Sequence, residues 1–293
     1  MGRYDNHVRK NVANARVDRH PVPHFISENT LPADCLEDLL ARWPKRAYFR
    51  PEVAGNYLLW HEHDIPDNPL RDVVAEVGET LSRAILSRFA DWIELRFGPD
   101  LGSVKAGFGL MEADPDYGGH VVHSHHYQTP FWLATALLYL DDEPGGHQGT
   151  TLCQVDPPDD EDPLEYATAV SLQSMSWPNR DDVTDAVTAD YAGNRMLAFL
   201  DSPISFHRVR AARTFGNARR RILRMHFSAD PVWCEKLYGL TSDEYFRLRA
   251  PGMPIDDPEM VDWNRREIRQ LASAPEMRAE AREAWADEIA LEI

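Results

Sequence analysis

The run Asn194-Arg-Met-Leu-Ala-Phe199-Leu-Asp-Ser-Pro-Ile-Ser-Phe-His207-Arg-Val209 decides how this chain is read. Its first part, residues 195–200, is an apolar stretch of strand length, a turn follows, and a histidine opens the next strand. The same grammar extends outward in both directions. Residues 104–110, 120–125, 132–140 and 150–154 precede it and 221–227 follow, each a β-like run set off by Gly, Pro and Asp clusters. From Ser103 onward the chain reads as an antiparallel β region.

Helices flank that region. Pro21-Val-Pro-His-Phe-Ile26 reads as an extended entry strand, because its prolines exclude a helix. Asn29 or Thr30 then offers an N-cap to a helix over 31–43, with Leu36, Leu39, Leu40 and Trp43 as its apolar stripe. A longer helix is predicted over 70–97, with Val73, Val77, Leu81, Ile85 and Phe89 facing inward. Residues 156–190, Asp- and Pro-rich at their start, are expected to form a long insertion of the kind that covers an active site. Beyond Ser228 helix signals return: Thr241-Ser-Asp-Glu244 has capping-box spacing, Asp257-Pro258 can start a helix, and 275–293 is rich in Ala, Glu and Arg. The division expected is a mobile lead over 1–20, a β domain over 21–230, and a helical cap on that domain over 231–293. Dimerisation through the cap is the other reading of this tail.

Composition narrows the function classes. Forty-eight acidic against 31 basic residues give a net charge of −17, which repels nucleic acid and anionic lipid over most of the surface. The three cysteines are far apart and form no Cys-x-x-Cys pair, so a reducing, cytoplasmic setting is expected. The polar N-terminus does not read as a secretory signal, and no run of eighteen apolar residues offers a membrane span.

Four of the 12 histidines fall within seven residues, His120-Val-Val-His123-Ser-His125-His126. Strand alternation places His123 and His125 on one face and turns His120 outward. Two imidazoles side by side suit iron, zinc, copper or nickel. A third ligand has to come from a distant strand, and His207 is the best candidate. Three histidines on one face leave coordination positions open, which is the geometry of a catalytic site.

The motifs in order are an H-x-H pair, Tyr139-Leu-Asp141, Gly145-Gly146 with Thr150 and Leu152 behind it, a strand ending in His207, and a later arginine. With the entry Pro-x-Pro-x-Phe-Ile, this order resembles the prolyl-4-hydroxylase-like branch of the Fe(II)/2-oxoglutarate dioxygenases, over roughly residues 21–227. The resemblance implies a double-stranded β-helix of the jelly-roll or cupin kind, with Fe(II) held by His123, His125 and His207. It implies 2-oxoglutarate bound by Arg220, from the run Arg219-Arg-Arg221, with help from Tyr139. The implied activity uses O2 and decarboxylation of 2-oxoglutarate to hydroxylate a small-molecule or amino-acid-like substrate. An arginine suits the co-substrate because its fork grips a carboxylate through two hydrogen bonds.

One departure stands out: the family has Asp or Glu where this chain has His125, which leaves a bound metal with one more net positive charge. Taking His126 as the first ligand gives His126-Tyr-Gln128 instead, with Gln128 in the carboxylate position, and this register stays open beside 123/125. Two other readings remain: a halogenase, whose relatives carry Gly or Ala where His125 stands, and a metal-binding sensor without catalysis. Seven arginines lie between 208 and 224; Arg208, Arg210 and Arg213 are read either as grips for an anionic substrate or as partners of the Asp-rich insertion. His61-Glu-His63 and His147 read as surface or turn residues. Trp60, Trp132 and Trp177 read more readily as core than as pocket lining.

Overall fold

The structure, a computed structural model, describes residues 4–52, 56–60, 68–98, 101–114, 117–125, 131–141, 149–173, 178–179, 181–211, 219–248 and 257–293. Eight strands follow one another through the β region: β5 (Ser103–Ala113), β6 (His120–His123), β7 (Trp132–Tyr139), β8 (Thr150–Val155), β9 (Val183–Ala189), β10 (Arg195–Leu200), β11 (His207–Val209) and β12 (Arg220–Ala229). Ahead of them lie the short strands β1 (Val17–Asp18), β2 (His24–Ser27), β3 (Arg50–Pro51) and β4 (Asn56–Trp60), and at the C-terminal end β13 (Ala290–Glu292). The large sheet has the order β1-β2-β10-β7-β12-β5-β4-β3, with β13 paired to β5, and the small sheet is β6-β11-β8-β9.

From β5 to β12 the chain passes back and forth between the sheets, except that β8 and β9 are consecutive neighbours in the small one, and β10-β7-β12-β5 faces β6-β11-β8-β9 as a double-stranded β-helix. The expected fold class is thus found. Its pairings among β5 to β12 are all antiparallel.

Alternation along the large sheet divides its side chains between two cores. On β7, Ala134, Ala136 and Leu138 pack outward with the helices, while Leu137 and Tyr139 pack inward with β8 and β10 residues. On β10, Met196, Ala198 and Leu200 go outward and Leu197 and Phe199 inward. Because both faces are covered, these strands read as nearly continuous apolar runs. The outer layer comes from α1 (Asp5–Asn14), α2 (Ala33–Ala41), α3 (Pro69–Val73), α4 (Glu79–Arg88) and α5 (Ala90–Phe97), with one π turn, Val74–Gly78, between α3 and α4. Leu81, Ile85 and Phe89 are completely buried there, as the helical stripe in the sequence requires.

Three expectations need correction. The lead over 1–20 contributes α1, whose Val8 and Val12 sit four residues apart, fully buried in the outer core; its mostly polar remainder hid this short stripe. Helix α2 starts at Ala33 behind Pro32 and takes no side-chain cap from Asn29 or Thr30, since Asn29 has φ 51°. Residues 156–190 contain α6 (Pro163–Ser171), capped by Asp162, and β9, which extends the small sheet beside β8.

The tail forms α7 (Trp233–Tyr238), α8 (Ser242–Leu248), α9 (Pro258–Ser273) and α10 (Ala279–Glu288). Thr241 and Glu244 make the reciprocal capping box, and Asp257 accepts from Glu259 N and Met260 N at the start of α9. Among the described residues no helix is long and apolar enough to cross a membrane.

Asn194, at φ 59°, turns the chain into β10 and uses its amide on both polar groups of Leu31: Oδ1 accepts from Leu31 N at 2.8 Å and Nδ2 donates to Leu31 O at 2.7 Å. This clasp ties the segment before α2 to the strand that leads to His207. Asn194→Ala is expected to cost about 2–4 kcal/mol, from two stranded buried backbone groups and an alanine in the left-handed region. A urea titration giving a loss below about 1 kcal/mol would contradict this role.

Candidate functional site

Between the two sheets lies a cavity of about 300 Å3, lined by His120, His123, His125 and His207 at one end and by Arg220 and Arg224 from β12. The sequence folds this way because β6 and β11 are neighbours in the small sheet, with His207 opposite His123. One ring nitrogen from each of His123, His125 and His207 lies within 4.8 Å of the other two. Modest ring rotation closes such a spacing onto one ion, whose bonds to imidazole are about 2.0–2.1 Å long.

His120 departs from its expected outward pose. Between 207/123 and 209/120 the register shifts, so one residue of β11, Arg208, opposes two of β6, Val121 and Val122. The bulge returns the His120 ring to the cavity, 4.0 Å from that of His123.

Each of the three converging imidazoles has its Nδ1 engaged. His123 Nδ1 lies 2.9 Å from Val121 O, His207 Nδ1 3.1 Å from Ser205 O, and His125 Nδ1 3.1 Å from Thr135 Oγ1. Carbonyl oxygens only accept, so His123 and His207 carry their proton on Nδ1 and present Nε2 as a lone pair. Thr135 Oγ1 gives its single proton to Asp201 Oδ2 at 2.7 Å, and therefore accepts from His125 Nδ1 and from His226 Nδ1, also at 3.1 Å. His226 Nε2 in turn accepts from Arg224 Nε.

Burial holds the site histidines neutral. It lowers His123, His125 and His207 well below 6.5, with further contributions from neighbouring imidazoles and, at His125, from Arg224. Burial likewise pushes Asp201 up to about 6, opposed first by the hydrogen bond from Thr135. Three neutral donors with free lone pairs are what a divalent transition metal requires.

The opposite wall carries Arg220. It is 2% exposed, its Nε has no hydrogen-bond partner among the described residues, and its Nη2 donates to Thr150 Oγ1 at 3.5 Å. The rings of Tyr139 and Tyr191 each lie 5.7 Å from the guanidinium carbon. The other arginines of this run among the described residues are paired: Arg208 and Arg210 with Asp185 of the insertion, Arg219 with Glu112, Arg221 with Asp141, Arg224 with Glu52. Arg208 and Arg210 therefore take the second of their two expected roles. Among the described residues Arg220 has no carboxylate partner, and a buried cation of this kind calls for an anion.

Tyr139 lies beside the guanidinium and does not line the cavity; its hydroxyl accepts from Thr150 N at 2.8 Å. Tyr117, which sequence reasoning missed, does line it, and burial pushes its hydroxyl up to about 12 against the opposing charge of Arg220. Also missed were Thr135, Asp201 and His226. Trp132 stacks on His226 at 4.2 Å and meets His125 edge-on, and Trp60 lies 6.1 Å from His226. His126, Gln128, Gly145, Gly146, His147, His61, His63, Trp177 and Arg213 lie outside the described residues.

No family model matches the sequence, and no curated protein matches it. Solved structures similar to the chain include a prolyl-4-hydroxylase from Pseudomonas putida, at 14% identity and TM-score 0.44 over 77% of this chain and 99% of that one. A 2OG-Fe(II) oxygenase family oxidoreductase from Burkholderia pseudomallei is similar at 13% identity and TM-score 0.41, over 76% and 89%. Prolyl 4-hydroxylases from Phytophthora capsici are similar at 16% and 0.46, over 97% and 87%.

The neutral imidazoles give the metal-free protein a pH dependence of known sign. Burial lowers His226 as it does the other three, so the unfolded chain takes up protons below about pH 6.5 that the native cluster refuses. Stability is whole above that value and falls as the pH drops through it, by up to about 1.4 kcal/mol per unit for each histidine. Asp201, raised from 3.8 to about 6, takes its proton first in the folded state and offsets part of the loss below pH 6. Denaturant midpoints of chelator-treated protein are expected to decline between about pH 7.5 and 5.5; a flat or rising series would contradict the neutral cluster.

Proposed function

We propose that this chain is a non-haem iron oxygenase that holds Fe(II) on His123, His125 and His207 and binds 2-oxoglutarate with its far carboxylate on Arg220. The observation that carries the reading is the pairing, in one cavity, of three neutral imidazole donors with a buried guanidinium that has no carboxylate partner among the described residues. Bound there, Fe(II) and 2-oxoglutarate would supply activation of O2 for oxidation of an unactivated C–H bond, with succinate and carbon dioxide as co-products.

The protein's own groups have defined tasks. Val121 O, Ser205 O and Thr135 Oγ1 hold the three rings in the tautomer that presents Nε2. His123, His125 and His207 would hold the ion and leave positions open for co-substrate and O2. Arg220, with Tyr117 beside it on the wall, would orient the dianion, whose own negative charge would compensate in part for the absent carboxylate ligand. Outer-wall residues Glu52 and Arg224, themselves paired at 2.6 Å, would face a small-molecule substrate, for which hydroxylation is the outcome we favour. His125 fills the position a halide would take in a halogenase, and a sensor without catalysis would leave Arg220 unexplained.

Anaerobic addition of Fe(II) and 2-oxoglutarate should produce the weak visible charge-transfer band of the chelate. His207→Ala should abolish the band, and Arg220→Ala should raise the half-saturating 2-oxoglutarate concentration about 10–100-fold, the loss of a charge-assisted pair. Absence of the band in the unaltered protein, or unchanged titrations in both variants, would refute the assignment.

A further inference from the structure

Asp201 is 1% exposed and, among the described residues, has no Lys or Arg nitrogen within salt-bridge distance. Its partners lie on the side of the histidine cluster. Oδ2 accepts from Thr135 Oγ1 at 2.7 Å, and Oδ1, which has no hydrogen-bond donor, lies 3.3 Å from His125 Nδ1. Arg96 and Arg224 act on this carboxylate only from beyond salt-bridge distance, and a buried carboxylate without a contacting cation is costly to ionise unless a positive charge is supplied nearby. Such a charge belongs beside the His125 ring, where one ring nitrogen from each of the three histidines lies within 4.8 Å of the other two.

The position of this carboxylate answers the departure seen in the sequence. His125 stands where the resembled family has an acidic ligand, and directly behind His125 stands an acid. We propose that Asp201 is a positioning residue that returns the missing negative charge from behind the ring, through Thr135 and His125 Nδ1, without taking a coordination site. The inference rests on the metal-site reading above. Its physical content is twofold. The Thr135 hydroxyl has one proton, committed to Asp201, so it can only accept from His125, and this fixes the His125 tautomer that presents Nε2. The carboxylate beyond polarises the Nδ1–H bond, making His125 a stronger donor and lowering the net charge felt at the ion. Strand alternation explains the placement: Leu197 and Phe199 point into the cavity side of the sheet, and residue 201 continues the same parity one step past the strand end.

The test measures metal binding and redox potential, with no substrate present. Full-length protein and its Asp201→Asn, Thr135→Val and Thr135→Ser variants are titrated anaerobically with Fe(II), and with Co(II) as a spectroscopic probe. Folding is checked by circular dichroism. Asp201→Asn should weaken Fe(II) binding 10–100-fold, raise the Fe(III)/Fe(II) midpoint potential because a negative charge is lost, and keep the Co(II) spectrum of a three-imidazole site. Thr135→Val should move affinity and potential in the same directions, and Thr135→Ser, which keeps the hydroxyl, should retain both. If Asp201→Asn fails to fold, the Thr135 pair decides: a potential unmoved by Thr135→Val overturns the proposal. Asp201→Asn protein that is folded and binds Fe(II) with unaltered affinity and potential overturns it alone, leaving the metal site standing. Failure of the unaltered protein to bind metal at these histidines overturns both.

Discussion

Three imidazoles share one cavity in which burial and mutual repulsion favour the neutral form, and each has its Nδ1 engaged by a neighbouring oxygen. Desolvation and mutual repulsion remove the protons, while carbonyl oxygens at 121 and 205 and the hydroxyl at 135 secure Nδ1. These hydrogen bonds come from β6, the turn that leads into β11, and the inner face of the large sheet, so the site depends on both sheets being closed upon each other. The helices outside the large sheet act one step further away, by covering the apolar face of β7 and β10 and so fixing which side chains of those strands look inward.

The cavity is electrically asymmetric. Acid lies behind His125 at one end, and at the other a guanidinium sits 5.7 Å from each of two neighbouring tyrosine rings without a carboxylate partner among the described residues. In a chain with a net charge of −17, most of the arginines of the β11–β12 region are consumed by neighbouring acids on the barrel. Arg220 is the exception because the alternation of β12 sends it inward with Ile222, Arg224 and His226, while Arg219 and Arg221 reach acids outside the cavity.

Much of the barrel was legible in the sequence, because strands covered on both faces leave continuous apolar runs, and turns leave Gly, Pro and Asp between them. Convergence of His123, His125 and His207 followed from alternation plus one distant histidine at a strand start. Strand β9 was hidden by its polar alternation within an acidic segment, and α1 by having only Val8 and Val12 to bury. His120 was misplaced because a β-bulge is set by pairing across strands and leaves no mark in the local pattern. Thr135 and Asp201 did leave a signal: a lone threonine interrupts an apolar strand, and Asp201 keeps the parity of Phe199. Their meaning needed the third dimension, since only β7 and β10 side by side bring them together, with Phe199 opposite Thr135.

Anomalous diffraction from crystals loaded anaerobically with iron would locate the ion. A single strong peak is expected within bonding distance of Nε2 of His123, His125 and His207, with no protein carboxylate in contact. A peak elsewhere, or none at these three rings under full iron loading, would contradict that placement.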